Sequence, residues 1–402
     1  MSSIESLLSE RVLKLKPSPT LAIDAKAKTL KAQGIDIVNL SAGEPDFDTP
    51  KHIKDAAIEA INQGFTKYTP VAGIVELREA ICNKLKKDYS LDYSVEEIVV
   101  STGGKQGLFN IIQAIVNPGD EVIIPVPYWV SYPPMVGLAG GRPVFLQTYP
   151  EDNFSIDIDS LKKLISKKTK AIILNSPSNP TGAIYSEELL VEIAKLSIEN
   201  DFLIISDDIY DQIRFDGKSP YNCASLVKEA KSNVIIANGV SKTYAMTGWR
   251  IGYLAGPQPI IKAATKIQSQ STSNPNSIAQ KAALAAFNGP QECVKEMTKA
   301  FKERRDYIVK RLNDIEGIKT PIPEGAFYVF PDLSSFYGKR AGEKQIKDSL
   351  SLADYLLEDA KIAAVPGVAF GDDHFIRFSF ATDIDTLKKG MDRLESALKE
   401  LK

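Results

Sequence analysis

Between residues 96 and 257 the chain alternates short apolar runs with helical patterns, and nothing else in it constrains the fold as tightly. The runs fall at 98–101, 121–125, 142–149, 171–174, 202–206, 234–237 and 252–255. They are continuously apolar, so both faces of each strand require apolar neighbours. Helical stretches separate them, which favours crossover connections and parallel pairing over hairpins. The expectation is an α/β architecture with a mostly parallel seven-stranded sheet sandwiched by helices. In such sheets ligands bind beyond the carboxyl ends of the strands. The polar residues that follow the runs are therefore the ones to read for chemistry.

Six residues or fewer past five of these runs lie candidates of that kind. Ser241-Lys242 follows the sixth run, and Gly248-Trp249-Arg250 comes shortly after. A lysine at the mouth of a sheet, shielded from water, loses proton affinity and becomes an amine nucleophile. Serine and arginine beside it suit a phosphate. The three together suggest a Schiff-base site for a phosphorylated aldehyde; a structural lysine after a strand is the alternative. Gly103-Gly104-Lys105 ends the first run and opens a helix expected over 108–116, which makes an anion cradle or a Gly-rich turn with an exposed lysine. Asn179 sits in the turn Asn175-Ser-Pro-Ser-Asn-Pro-Thr-Gly182, where an amide can face a ligand or serve the turn. Asp207 ends a buried strand and needs a cationic partner, such as a protonated ring nitrogen or a structural cation. Trp129 can stack on a flat heterocycle or pack in the core. Arg377, inside the alternating stretch Ile376-Arg-Phe-Ser-Phe380, suits a carboxylate fork or a buried ion pair. Gly43, in Ser41-Ala-Gly-Glu-Pro-Asp-Phe-Asp48, permits close backbone approach to something.

The rest of the chain bounds the answer. After Asn288-Gly-Pro290 the pattern changes to a long charged helix ending near 313, short strands near 326–330 and 375–380, and helices at 350–360 and 384–400. This reads as a second, α+β domain. Ahead of the sheet come a first helix, Lys16-Pro-Ser-Pro-Thr20, a helical pattern over 23–33 and a short strand over 35–40; helices are expected at 51–63 and 75–88. With 49 Lys+Arg against 51 Asp+Glu, the net charge of −2 argues against nucleic acid or an anionic membrane as partner. No run approaches a membrane span and the first residues lack a signal core. Cys82, Cys223 and Cys293 lie far apart without a CxxC pair and read as reduced thiols, so a cytoplasmic protein is expected. His52 and His374 are the only histidines, which disfavours a His-based triad or a multi-His metal site; no metal is expected.

Taken together, Ser-Lys-x5-Gly-Trp-Arg, Asn-Pro-Thr-Gly, Ser-Asp-x-Ile-Tyr and Ala-Gly-Glu-Pro-Asp-Phe resemble the class I pyridoxal-phosphate aminotransferases of PLP fold type I. Within these the likeness is to the bacterial-type aspartate and aspartate/prephenate branch. The resemblance implies pyridoxal 5'-phosphate as cofactor, held by Lys242 as an internal aldimine, with Lys242 then acting as the proton-shuttling base. It implies that Asp207 pairs with the pyridine nitrogen, that Tyr210 and Asn179 bond the ring's 3-oxygen, and that Trp129 packs against the ring. Gly103, Gly104, Lys105, Ser241 and Arg250 would hold the phosphate. Tyr68 would reach the phosphate of a neighbouring subunit, so a homodimer with shared sites is expected. Arg377, Asn179 and the Gly43 backbone would bind the substrate α-carboxylate. Lys105, Lys16 and Thr20 match positions tied to the substrate side chain. The implied reaction is ping-pong transamination between an amino acid, aspartate first, and a 2-oxo acid, 2-oxoglutarate first. Aromatic, alanine or prephenate transamination, or a lyase of the same fold, are the alternatives. One departure is Asp208, where the family usually carries glutamate. The expected division is 1–50 as a segment of the small domain, 51–289 as the large cofactor-binding domain and 290–402 as the small α+β domain.

Overall fold

The computed structural model describes residues 7–15 and 19–402. Seven strands form its main sheet: β1 Ile98–Ser101, β2 Glu121–Val126, β3 Arg142–Gln147, β4 Thr169–Asn175, β5 Leu203–Asp207, β6 Val234–Gly239 and β7 Gly252–Ala255. Each corresponds to one of the seven apolar runs, with ends shifted by a few residues. The lateral order is β1-β7-β6-β5-β4-β2-β3. β7 runs antiparallel to both neighbours, and every other pairing is parallel.

Strand pleating explains why these runs are continuously apolar. Successive side chains point to opposite faces. Val100, Ile123, Ile172, Ile204 and Ile236 enter one buried cluster. Their neighbours Val99, Ile124, Ile173, Ile205 and Ile235 enter another on the opposite face. Helices cover both, and each fully buried aliphatic side chain contributes roughly 1.5–3 kcal/mol relative to exposure. The edge strand β3 is the exception, with Arg142, Phe145 and Gln147 exposed. Strand order reverses between β2 and β4, which opens a crevice at their carboxyl ends. Trp129, Asn179 and Asp207 all follow or end strands around that reversal.

A third cluster lies apart from the sheet. Its frame is the three-stranded antiparallel sheet Val365–Pro366, Ile376–Ser379 and Tyr328–Val329. The helices Glu292–Asn313 and Ile384–Lys399 pack together beside it. Val38–Asn39 pairs in parallel with Ile362–Ala363, so the beginning of the chain joins its end. The short strands expected at 35–40, 326–330 and 375–380 are thus trimmed to their paired residues. Among the described residues no helix is long and apolar enough to cross a membrane.

Candidate active site

The floor of the crevice is set by the ends of β5 and β6. Asp207 is the last residue of β5 and is 5% exposed. Its Oδ2 accepts a 2.6 Å hydrogen bond from Tyr132 Oη, and its Oδ1 a weak one from the Ile209 N–H at 3.4 Å. Burial pushes its carboxyl up to about 6, opposed by the Tyr132 and Ile209 bonds and by the Lys242 charge. Lys242 follows β6 by three residues, and its Nζ donates to the Gly43 carbonyl. Loss of water around that amine pushes it down to about 8. Glu44 and Asp207 oppose the fall, while Arg377 and Arg250 reinforce it. The cation-depleting surroundings suit an amine that must be free of its proton.

Next to this floor, the helix Gly104–Ile115 begins directly after Gly103, four residues earlier than its apolar pattern suggested. Gly103 caps it at φ 78, a left-handed setting that favours glycine. A Cβ on Gly103 would collide with the Arg250 guanidinium, so cation and helix N-terminus are held against each other. Gly252 on β7 must lack a Cβ too, because one would overlap the Gly103–Gly104 backbone. Arg250 itself sits at φ 60 and donates to the Thr247 carbonyl at 2.8 Å. Ser241 is buried, and its carbonyl accepts from Met246 N at 3.0 Å. Lys105 is exposed, yet dehydration of its amine and the nearby Arg250 charge lower its pKa. Its Nζ lies 4.9 Å from the Trp129 ring centroid. Two cations and an uncapped helix start therefore face one spot with no carboxylate of the described residues paired to Lys105 or Arg250, a donor set fitted to a phosphate.

The opposite wall comes from the smaller sheet. Arg377 is 3% exposed. Its Nη1 donates to Asn179 Oδ1 at 2.9 Å and its Nη2 to the Ser41 carbonyl at 2.8 Å. Its Nε is buried without a partner, and no carboxylate of the described residues pairs with it. That removes the structural ion pair as an explanation for this arginine. Its guanidinium carbon instead sits 4.4 Å from the Tyr328 ring centroid and 5.1 Å from that of Phe370. Tyr328 Oη lies 2.9 Å from Tyr210 Oη, and a Cβ on Gly43 would sit 3.3 Å from the same hydroxyl. Asn179 is fixed by its own N–H donating to Asn175 Oδ1 at 2.8 Å.

The structure therefore brings Lys242, Asp207, Gly43, Asn179, Tyr210 and Arg377 into one linked set, with Gly103, Gly104 and Arg250 as a second and Lys105 with Trp129 beside them. Tyr68 does not join either; it is 92% exposed. Thr20 lies in the helix Pro19–Ala32 with its Oγ1 buried and unpartnered among the described residues. Lys16 lies outside the described residues. Asp208 turns away, accepting from Ser206 Oγ at 2.6 Å and from Asn222 Nδ2 at 2.8 Å. Three residues went unread in the sequence. Tyr132 and Tyr328 sit among apolar neighbours that mark only a core, and Glu44 was passed over inside the loop that contained Gly43.

The profile of the aminotransferase class I and II family matches residues 35–394. The aspartate aminotransferase of Bacillus sp. (strain YM-2) is 48% identical over 98% of this chain and 100% of its own. The aspartate/prephenate aminotransferase of Nitrosomonas europaea is 51% identical over 97% of this chain and 99% of its own. Among solved structures, the aspartate aminotransferase of Thermus thermophilus with maleate superposes with a TM-score of 0.92 at 44% identity, covering 97% of this chain and 99% of that one. The chain belongs to the class I and II aminotransferase family.

Proposed function

We propose that this aminotransferase uses pyridoxal 5'-phosphate to move an amino group from aspartate to 2-oxoglutarate in two half-reactions. One observation carries the reading: an amine held down to about 8 stands beside the buried Asp207 carboxyl, which is among the charges acting on it. Each remaining wall supports a part of the same ligand. Gly103, Gly104, Lys105, Ser241 and Arg250 offer cations and N–H groups for its phosphate. Asp207, buried and short of a cation, suits a protonated ring nitrogen. Bound pyridoxal phosphate supplies an aldehyde that captures amines and a protonated ring that accepts the electron pair left when an α-proton departs.

The residues of the chain do the rest. Lys242 would hold the cofactor through Nζ, and the same amine, once free, would take the substrate α-proton and return it elsewhere. Asp207 keeps a positive charge stable where it would otherwise be lost. Tyr210 and Asn179 would hold the ring's oxygen substituent, and Trp129 would pack against the ring. Arg377, with Asn179 and the Gly43 backbone, grips the α-carboxylate; its orphan Nε and missing ion-pair partner support this. Lys105 receives the side-chain carboxylate, a task the resemblance extends to Lys16 and Thr20, and the unpartnered Thr20 hydroxyl is in keeping with that. The partner subunit's Tyr68 completes the phosphate site, so the working unit is a cytoplasmic homodimer; full exposure of Tyr68 within one chain supports it. Residues 51–289 form the large domain, and 1–50 with 290–402 the small one; the cluster that lies apart from the main sheet supports this division.

A half-reaction panel tests the reading. Each amino acid is added to the yellow, cofactor-loaded protein and the bleaching of its absorbance is followed. Aspartate and glutamate should bleach it fastest. Inertness to both, with a response to alanine or phenylalanine, would overturn the substrate assignment. Turnover that survives Lys242→Ala would overturn the whole reading.

A further inference from the structure

Behind the crevice floor lies a buried ionic cluster whose side chains make no hydrogen bond to either of the two sets above among the described residues. Asp211, four residues beyond Asp207, is 2% exposed. Its Oδ2 accepts from Asn238 Nδ2 at 2.9 Å, Tyr89 Oη at 3.1 Å, and Lys84 Nζ and Gln212 Nε2 at 3.4 Å each. Lys84 also donates to Asp88 Oδ2 at 2.5 Å. Asn238 sits on β6, four residues before Lys242, and its Oδ1 accepts from the Gly239 N–H at 2.7 Å. The two four-residue offsets are what make the cluster informative: Asp211 is tied to the Asp207 strand end, and Asn238 to the Lys242 strand end.

The backbone ladder cannot set the spacing of those ends by itself. Paired register between β5 and β6 stops at Asp207 and Ala237, with a last backbone bond from Asp208 N to the Ala237 carbonyl at 2.9 Å. Beyond it, 208–212 leave the sheet, while Asn238 and Gly239 pair only with β7, at Tyr253 and Gly252, and 240–242 lie past the end of β6. Among the described residues the Asp211–Asn238 bond is the hydrogen bond that ties these two segments together. A hydrophobic contact would allow sliding; a carboxylate with several fixed donors does not. Leaving such a charge buried with two acids and one lysine is costly unless its geometry is held.

We infer that Asp211 is a positioning residue for the reaction: with Asn238 it clasps the strand end bearing Asp207 to the strand end bearing Lys242 and sets the spacing of acid and amine. The inference rests on the proposed roles of Lys242 and Asp207. Its failure is distinguishable, because Lys242→Ala tests those roles without touching the clasp.

Asn238→Ala breaks the tie while leaving Asp211 paired with Lys84. In the cofactor-loaded enzyme, kcat should fall about 10-fold or more, with KM for aspartate nearly unchanged, because misplacement of reacting groups by fractions of an ångström acts on the chemical step. In the cofactor-free protein, amide hydrogen exchange should quicken at 207–212 and 238–244 and nowhere else. Asp211→Asn should match it. The exchanged pair Asp211→Asn/Asn238→Asp restores one donor to one acceptor and should recover most of the lost kcat. If Asp211→Asn does not fold, Asn238→Ala decides alone. Wild-type kcat in folded Asn238→Ala, exchange spread across the whole sheet, or a swap that restores the melting temperature but not kcat would each overturn the inference.

Discussion

The Lys242 amine offers the sharpest test of how the crevice is built. At about pH 7.5 a lysine titrating near 8 is about one-quarter free amine, whereas one at its ordinary value is about 0.1% free, roughly a 200-fold difference. In the cofactor-free protein, acylation of Lys242 by a limiting reagent should therefore rise with a midpoint near pH 8. The remaining lysines of the chain, read in the same digest, supply the internal comparison. Peptide mass spectrometry across pH 6–11, in a buffer free of phosphate, reads each lysine separately. Perturbations give the sign. Glu44→Gln removes an attraction for the cation and should lower the midpoint; Arg250→Met removes a repulsion and should raise it. Stability carries the same signature. Because the folded value is depressed, the unfolded chain holds an extra proton between about pH 8 and the ordinary lysine value. The cofactor-free fold should gain stability as pH rises through that window. A Lys242 midpoint indistinguishable from the surface lysines, or shifts of the same direction in the two variants, would refute the account.

Other outcomes follow from the walls. Gly103→Ala, which must both leave φ 78 and displace the Arg250 guanidinium, should weaken cofactor binding at least about 10-fold by fluorescence titration while the far-ultraviolet spectrum stays unchanged. Arg377→Met should cost on the order of 3 kcal/mol in kcat/KM for every amino acid tested, as expected when one partner of a desolvated charge pair is removed, with cofactor affinity unaltered. Lys105→Met should reduce kcat/KM for aspartate about 10-fold more than for alanine, measured side by side; equal losses would place Lys105 with the cofactor alone.

The strands were legible because burial on both faces leaves a mark in every residue of a run, and the turns after them stood out against it. That is why Asp207, Asn179 and Lys242 could be found by position. The start of the helix at Gly104 was harder, since its first turn carries no apolar residue and the glycines there serve close approach, not packing. Tyr132 and Tyr328 stayed hidden because an aromatic that offers a hydroxyl to a site looks in sequence like one that fills a core. The Ser41 and Gly43 carbonyls were invisible in principle: every residue has a carbonyl, and only the fold aims it. The Asp211 clasp was missed for a related reason, since its donors come from three separated stretches of chain.

One hydrogen bond described above has a bearing on how the enzyme comes into being. Arg377 donates to the Ser41 carbonyl across 336 residues of sequence. During synthesis the seven strands and Lys242 leave the ribosome well before Arg377 does, and domains tend to fold as they emerge. A nascent chain can thus have its amine and its anion cradle in place while the wall that grips a carboxylate is still unmade. Catalytic competence arrives late, with the closing of one long-range contact, and so a chain cut short before Ile376 is disarmed however well its large sheet has formed.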